Sequence, residues 1–491
     1  MLFNSVQFLF YFAIVTTLFF ALPHKVRWLL LFVASCYFYM AFVPVYILIL
    51  FFTIAVDYVA GIAIEGSTGR RKKWFLIASI LANCGVLAIF KYYNFLNANL
   101  DSLAQHLGGR NPIPYLNILL PLGLSFHTFQ AMSYTIDVYR GKYPAERHLG
   151  IYALYVMFYP QLVAGPIERP GNLLPQLHAH QHFDRLRVTR GLQLMVWGMF
   201  KKVVIADRLA SLASPVFASP RDYDGISLWV AAACFSVQVY SDFSGYSDIA
   251  IGAGQVMGIR LMTNFDRPFL AKSLAEFWQR WHISLSTWFR DYLYFPLGGG
   301  RVPLPRWMLN IAITFLVSGL WHGAQWTFVM FGAWFGVWVI IEQLLVKFLA
   351  RVWPVALRFP ELPGGKLALV GFNFMLVSLA VVFFGARTAP DAFYMLGSMF
   401  TGVGESLRHI TTAHEFRMRV MLGQLALPFF YTMASVAVLF ATHLMQRRGS
   451  VREWLATRPT AFRWAVYYAV VLAILVFGNY NQSHTFVYFQ F

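Results

Sequence analysis

The chain has 491 residues, of which 58% are hydrophobic and only 12% charged, and its mean hydropathy is +0.57. Soluble domains carry roughly 25% charged residues, so the composition excludes a soluble globular protein and predicts an all-α polytopic membrane protein. The formal charge of +18 fits basic residues gathered in cytoplasmic loops. No basic segment is interleaved with base-stacking aromatics, which argues against a nucleic-acid partner.

The opening stretch MLFNSVQFLF has no basic residue ahead of its apolar run. It is predicted to be a retained first transmembrane helix and not a cleaved signal peptide. A bilayer core needs about 20 helical residues to cross. Apolar stretches of suitable length fall near 4–22, 28–43, 45–63, 74–91, 114–136, 150–165, 191–212 and 226–240. Others fall near 307–321, 324–347, 366–385, 423–444 and 462–478. No repeat or long linker interrupts them, so a single domain over 1–491 is expected. Cys36, Cys84 and Cys234 sit inside apolar segments without metal-ligand spacing and are read as small core residues.

The most basic loops are GRRKKW (69–74) and QRRGSVREWLATRP (446–459), and both are predicted to face the cytoplasm. Counting back from 69–74 puts Lys25 and Arg27 on the same side and the N-terminus outside. The final helix then leaves the tail from residue 479 outside as well.

Ionisable residues inside membrane segments cost free energy and default to a functional hypothesis. In chain order, the segment 122–141 buries His127 and Gln130 in an apolar run, and LVAGPIERP (162–170) places Glu168 and Arg169 beyond a Gly-Pro break. HAHQH carries His178, His180 and His182 in alternation, but without carboxylate or Cys company, so no metal is assigned. YSDFSGYSDIAIG (240–252) sets Asp242 and Asp248 among aromatics and small residues. Gly, Asp, Pro and Arg break up the region from 240 to 300, which predicts short, re-entrant or surface-lying helices. Within it, Ser273 and Glu276 have capping-box spacing. Phe277, Trp281, Leu285, Trp288 and Tyr292 follow as one apolar stripe, and Pro296 ends it. On another face of the same helix lie His282, Ser286 and Arg290. Either this is an interfacial helix with a structural histidine, or its polar face serves chemistry.

SGLWHG (318–323) places His322, beside Trp321, sixteen residues from Arg306. That is about 24 Å of helix, deep in a bilayer. Apolar surroundings disfavour the imidazolium and leave a neutral ring with one nitrogen available as a base. The alternative is a histidine bonded between helices. Neither HExxH, GxSxG, a Walker A motif nor CxxC occurs.

Together, LVAGPIERP, YSDFSGYSDIAIG, FWQRWHISLSTWFRDYLYFPLGG and SGLWHG resemble the membrane-bound O-acyltransferase family, and within it the bacterial polysaccharide O-acetyltransferases of the alginate O-acetylase type. The likeness runs from SVQFLF near the start to the VYFQF ending. It implies a ring of about 11–14 transmembrane helices, with short or re-entrant ones, around a central two-sided funnel. It also implies that His322 is catalytic and that His282 is its partner across the reaction chamber. Candidate channel or donor-binding residues are Trp321, Ser286, Arg290, Asp242, Asp248, Trp281, Glu168, Arg169, His127 and Gln130.

The implied donor is acetyl-CoA or another cytoplasmic acetyl thioester, with no permanently bound cofactor. The acetyl group would leave the bacterial inner membrane, among its lipids, for a periplasmic SGNH-type partner enzyme that modifies a polysaccharide such as alginate or cellulose. Competing readings are D-alanyl transfer towards a teichoic acid, a polymer or lipid transporter, and a scaffold for a periplasmic acetylase.

Overall fold

The computed structural model describes residues 1–480 and Phe486. Among the described residues every regular element is helical. Eight helices among the described residues are long and apolar enough to cross a membrane: Pro44–Glu65, Gly69–His106, Gly225–Met257, Leu304–His322, Trp326–Val352, Gly365–Gly385, Ala426–Met445 and Thr460–Phe477. The other apolar stretches form shorter or interrupted helices. Val6–Ala21, capped by the Ser5 hydroxyl accepting from the Phe8 N–H, has 16 residues, about 24 Å.

Three expectations about elements need correcting. The stretch 114–136 is helical only over Leu124–Tyr139. Pro112, Pro114 and Pro121 remove backbone donors ahead of it, and Asn94 instead pairs with the Leu116 backbone through both its amide N and O (2.7 and 2.9 Å). The stretch 191–212 carries a π-helical turn, Phe200–Ala206, between Arg185–Met199 and Asp207–Ala218. The helix expected to end near 240 continues unbroken from Gly225 to Met257, so Asp242 and Asp248 ride on it and not on a broken segment.

The chain divides into two compact units. The first is Met1–Met195 with Ser247–Thr263. A polar knot lies inside it: Asp57, fully buried, accepts from the Ser79 hydroxyl (2.6 Å) and the Asn83 amide (2.9 Å). The second is Val196–Tyr246 with the residues from Asn264 onward. Its core is aromatic, with Phe277, Trp281, Phe331, Phe335 and Phe384 all buried. In it the helices Leu304–His322 and Trp326–Val352 form a tight hairpin. Gly319 and Gly332 face each other, and a Cβ on either would overlap the opposing backbone, so these glycines set the interhelix distance. The predicted placement of the tail from residue 479 falls mostly on residues 481–491, which, Phe486 apart, lie outside the described ones.

Candidate active site

The last residue of the Leu304–His322 helix is His322 itself, and only Gly323, Ala324 and Gln325 separate it from the returning helix. Gly323 has to be small, because the Phe328 ring occupies the place of a Cβ. His322 is 5% exposed. Its ring packs against Trp321 (4.9 Å between centroids), Phe384 (5.6 Å) and Phe331 (5.7 Å). The last two meet it edge-on, an arrangement that fixes a ring's orientation.

His282 comes from a break and not from a helix face. The Ser273 hydroxyl caps the helix Leu274–Arg280, accepting from the Glu276 N–H, as the S-x-x-E spacing predicts. The chain then leaves helical geometry. Trp281 is extended, His282 is left-handed (φ 44°, ψ 53°), and a new helix runs over Ile283–Phe289. A non-glycine residue there costs roughly 1–2 kcal/mol, so the surroundings must hold it. Asn264 does so, accepting the Ile283 N–H at its carbonyl (2.9 Å) and the Ser284 hydroxyl at Oδ1 (2.9 Å). Asp266 adds its N–H to the Arg280 carbonyl (2.9 Å).

The continuous amphipathic helix expected over this stretch is therefore replaced by two short helices joined at His282. Its polar face disperses as a result. The Ser286 hydroxyl returns to the Trp281 carbonyl (3.0 Å), and Arg290 pairs with Asp291 (2.7 Å), its side chain 53% exposed.

The break turns His282 wholly inward, at 0% exposure. Its ring meets Phe243 edge-on (4.6 Å) and lies 5.8 Å from Trp321. Trp321 thus neighbours both histidines. Burial, and then the neighbouring His322, hold the His282 imidazole well below its usual pKa range. It is neutral at physiological pH, with one nitrogen able to donate and the other to accept.

Next to Phe243, Asp242 is buried in a charge cluster. Lys202, 1% exposed, sits between Asp242 (2.6 Å) and Asp207 (2.9 Å). The Phe486 ring lies 4.3 Å from the Lys202 ammonium. Lys201 donates to the Ser244 hydroxyl (2.9 Å), and the Tyr240 hydroxyl meets His443 Nε2 at 3.0 Å. Aromatic walls, two inward histidines and an adjoining polar cluster make a site suited to acid–base work on an uncharged acyl group.

The sequence profile of the membrane-bound O-acyltransferase family matches residues 147–385, which include Glu168, Asp242, His282 and His322. "Probable alginate O-acetylase AlgI" of Pseudomonas putida is 36% identical, with the alignment covering 100% of both chains. The chain belongs to the membrane-bound O-acyltransferase family. "Probable alginate O-acetylase AlgI" of Azotobacter vinelandii is 40% identical over 82% of this chain and 78% of that one. "Peptidoglycan O-acetyltransferase" of Helicobacter pylori is 31% identical over 94% of this chain and 91% of its own.

As a membrane-bound O-acyltransferase the protein is an enzyme, and its predicted site residues divide by place. His282, His322, Trp321 and, one residue from His282, Trp281 come together in the second unit. Trp281 stacks on Phe277 (5.3 Å) as part of the wall. Ser286 and Arg290 turn to the contacts given above. Glu168, Arg169, His127, Gln130 and Asp248 belong to the first unit. There Glu168 is fully buried and accepts from the Met262 N–H and the Asn172 amide (2.6 Å each), while burial pushes its pKa up to about 7. Arg169 donates to the Ile167 carbonyl (3.0 Å) and Gln130 to that of Tyr155. His127 is 1% exposed and Asp248 half-buried.

Sequence reasoning missed Lys202, Asp207, Asn264 and His443. For the first two a signal existed: FKKVVIAD puts two lysines and an aspartate into an apolar run, the pattern that marks a buried ion pair.

Proposed function

We propose that this enzyme transfers an acetyl group from a cytoplasmic thioester, acetyl-CoA being the first candidate, to a hydroxyl acceptor presented from the far side of a bacterial inner membrane, for O-acetylation of an exopolysaccharide. The observation that carries this reading is the pairing of His322 and His282, both buried and both against Trp321. His322 removes the proton of the acceptor hydroxyl as its oxygen attacks the thioester carbonyl. The carbon–sulfur bond then breaks, and the proton is returned to the thiolate. The products are an O-acetyl ester and free thiol. General-base catalysis of this kind contributes typically 10²–10⁴-fold. His282, neutral and oriented by Asn264, donates to the developing oxyanion, the kind of preorganised contact that carries much of acyl-transfer catalysis.

The names of relatives that align over most of the chain favour acetyl over D-alanyl as the transferred group. The final acceptor is a polysaccharide, reached through a periplasmic SGNH-type partner enzyme. A transporter or scaffold would tolerate loss of His322. The test is mass spectrometry of surface polysaccharide from a deletion strain complemented with wild type or with His322→Ala. Loss of O-acetyl groups in the variant, with the protein still in the membrane, is expected. Normal acetylation would sink the reading.

A further inference from the structure

A cavity lies in the first unit, at the turn between the helices Val6–Ala21 and His24–Met40. The cavity measures about 260 Å³. Its inner wall is apolar, formed by Phe19, Leu31, Ile151 and Leu154, and its mouth is lined by His24, Lys25, Arg27 and His148. The turn follows the apolar helix Val6–Ala21 and carries the charged Lys25 and Arg27, which assigns the mouth to a membrane face and the apolar wall to acyl-chain depth.

The donors at the mouth are set in place by the fold. Arg27 is 9% exposed. Its Nε and Nη1 donate to the carbonyls of Leu22 (3.0 Å) and Gln181 (2.6 Å), and its guanidinium lies over the Phe19 ring (5.0 Å). Its remaining nitrogen, Nη2, is the one available to a ligand. The His148 Nδ1 accepts the Ile151 N–H (3.1 Å), which fixes Nε2 as the protonated nitrogen. Trp28 stands edge-on to that ring at 4.8 Å, seated on Gly150, where a Cβ would collide with it. Glu146 is engaged by the His148 backbone N–H and by His178 (2.8 Å each). With Glu146 so engaged, the Lys25 ammonium and the Arg27 guanidinium remain as the charges above an apolar wall, a combination unfavourable in a bilayer unless an anion with a hydrocarbon portion meets it.

We propose that this cavity binds the phosphate headgroup of an anionic membrane phospholipid, the phosphate on Arg27, Lys25 and His148 and the upper acyl chain along Leu31 and Leu154. Basic pockets between transmembrane helices recognise such headgroups. The volume also falls below the roughly 300–1,000 Å³ of sites for drug-sized ligands, which suits a headgroup and not a nucleotide cofactor. Nothing in the assignment depends on acyl transfer.

The experiment is thermal unfolding of the delipidated, detergent-solubilised full chain with added phosphatidylglycerol, phosphatidylcholine or inorganic phosphate. Phosphatidylglycerol is expected to raise the midpoint by about 2 °C more than phosphatidylcholine, and inorganic phosphate to give no such rise. Lys25→Gln and, as a second variant, His148→Gln are each expected to remove at least half of that preference. Lys73→Gln, in the basic first turns of the helix Gly69–Leu87, should leave it intact. Equal shifts from the two lipids, a full shift from inorganic phosphate alone, or an undiminished preference in both mouth variants would overturn the assignment.

Discussion

Gly319→Ala probes how closely the hairpin holds His322. A methyl at this position would stand 3.1 Å from the Gly332 Cα and N, and closer still to the Phe328 carbonyl oxygen, against ordinary contacts of at least 3.4 Å. Both obstacles are backbone, so no side chain can swing aside and the two helices must part by about 1 Å. His322 follows three residues later, about 4.5 Å along the axis, and the rings around it are close-packed, so the displacement reaches it. Overpacking of this kind costs about 1–3 kcal/mol. A reacting group misplaced by 1 Å costs about 10²-fold in rate. Gly371→Ala is the control: it also lies inside an apolar helix, and a Cβ there meets nothing within 4 Å. That change should be neutral or stabilising by up to about 1 kcal/mol. The assay pairs thermal unfolding in detergent with thiol release from the donor. Wild-type turnover and an unchanged midpoint in Gly319→Ala would refute the claim that this glycine contact sets the histidine's position.

Lys202→Met leaves Asp207 and Asp242 buried without their cation, a change worth on the order of 3–5 kcal/mol, so the purified variant should melt well below wild type. Adding Asp207→Asn and Asp242→Asn should recover part of the loss, and no recovery would argue against the ion cluster as its source. Asn264→Ala removes the Oδ1 that holds Ser284. It should cost about 1 kcal/mol and slow transfer about tenfold as His282 loosens, read as a fall in turnover larger than the fall in midpoint. Glu168, with a folded-state pKa raised to about 7 by burial, favours the neutral form, so its contribution is greatest below its ordinary pKa. That contribution is lost as pH rises through 7. Between pH 5.5 and 8.5 the wild-type melting temperature should fall, and Glu168→Gln should flatten that slope. An identical slope in the variant would exclude Glu168 as its origin.

The long apolar helices were legible because each contains a window of about 18 residues with few charges, and hydropathy over such a window marks a span without any periodicity. The Gly225–Met257 helix was legible only to about residue 240, since Asp242, Gly245 and Asp248 look like breakers in one dimension. What keeps it helical is Lys202, forty residues earlier, which neutralises Asp242 from another helix. The kink at His282 was illegible for a related reason. The S-x-x-E cap was visible, but the apolar stripe continues smoothly through residues 277–292, and the bonds that reward the break come from Asn264 and Asp266, earlier in the sequence. For His322 the sequence shows a histidine at depth between two glycines, and the structure adds its burial against Trp321, Phe331 and Phe384.

The central claim is that His322 takes the acceptor's proton in the transfer step. Its most direct measurement is acetyl-CoA turnover by purified protein in proteoliposomes with an added acceptor, comparing wild type with His322→Ala. The variant is expected to fold, to bind acetyl-CoA as wild type does, and to lose about 10²–10⁴-fold in thiol release and acceptor acetylation. Transfer at the wild-type rate in a correctly inserted His322→Ala protein would contradict the account.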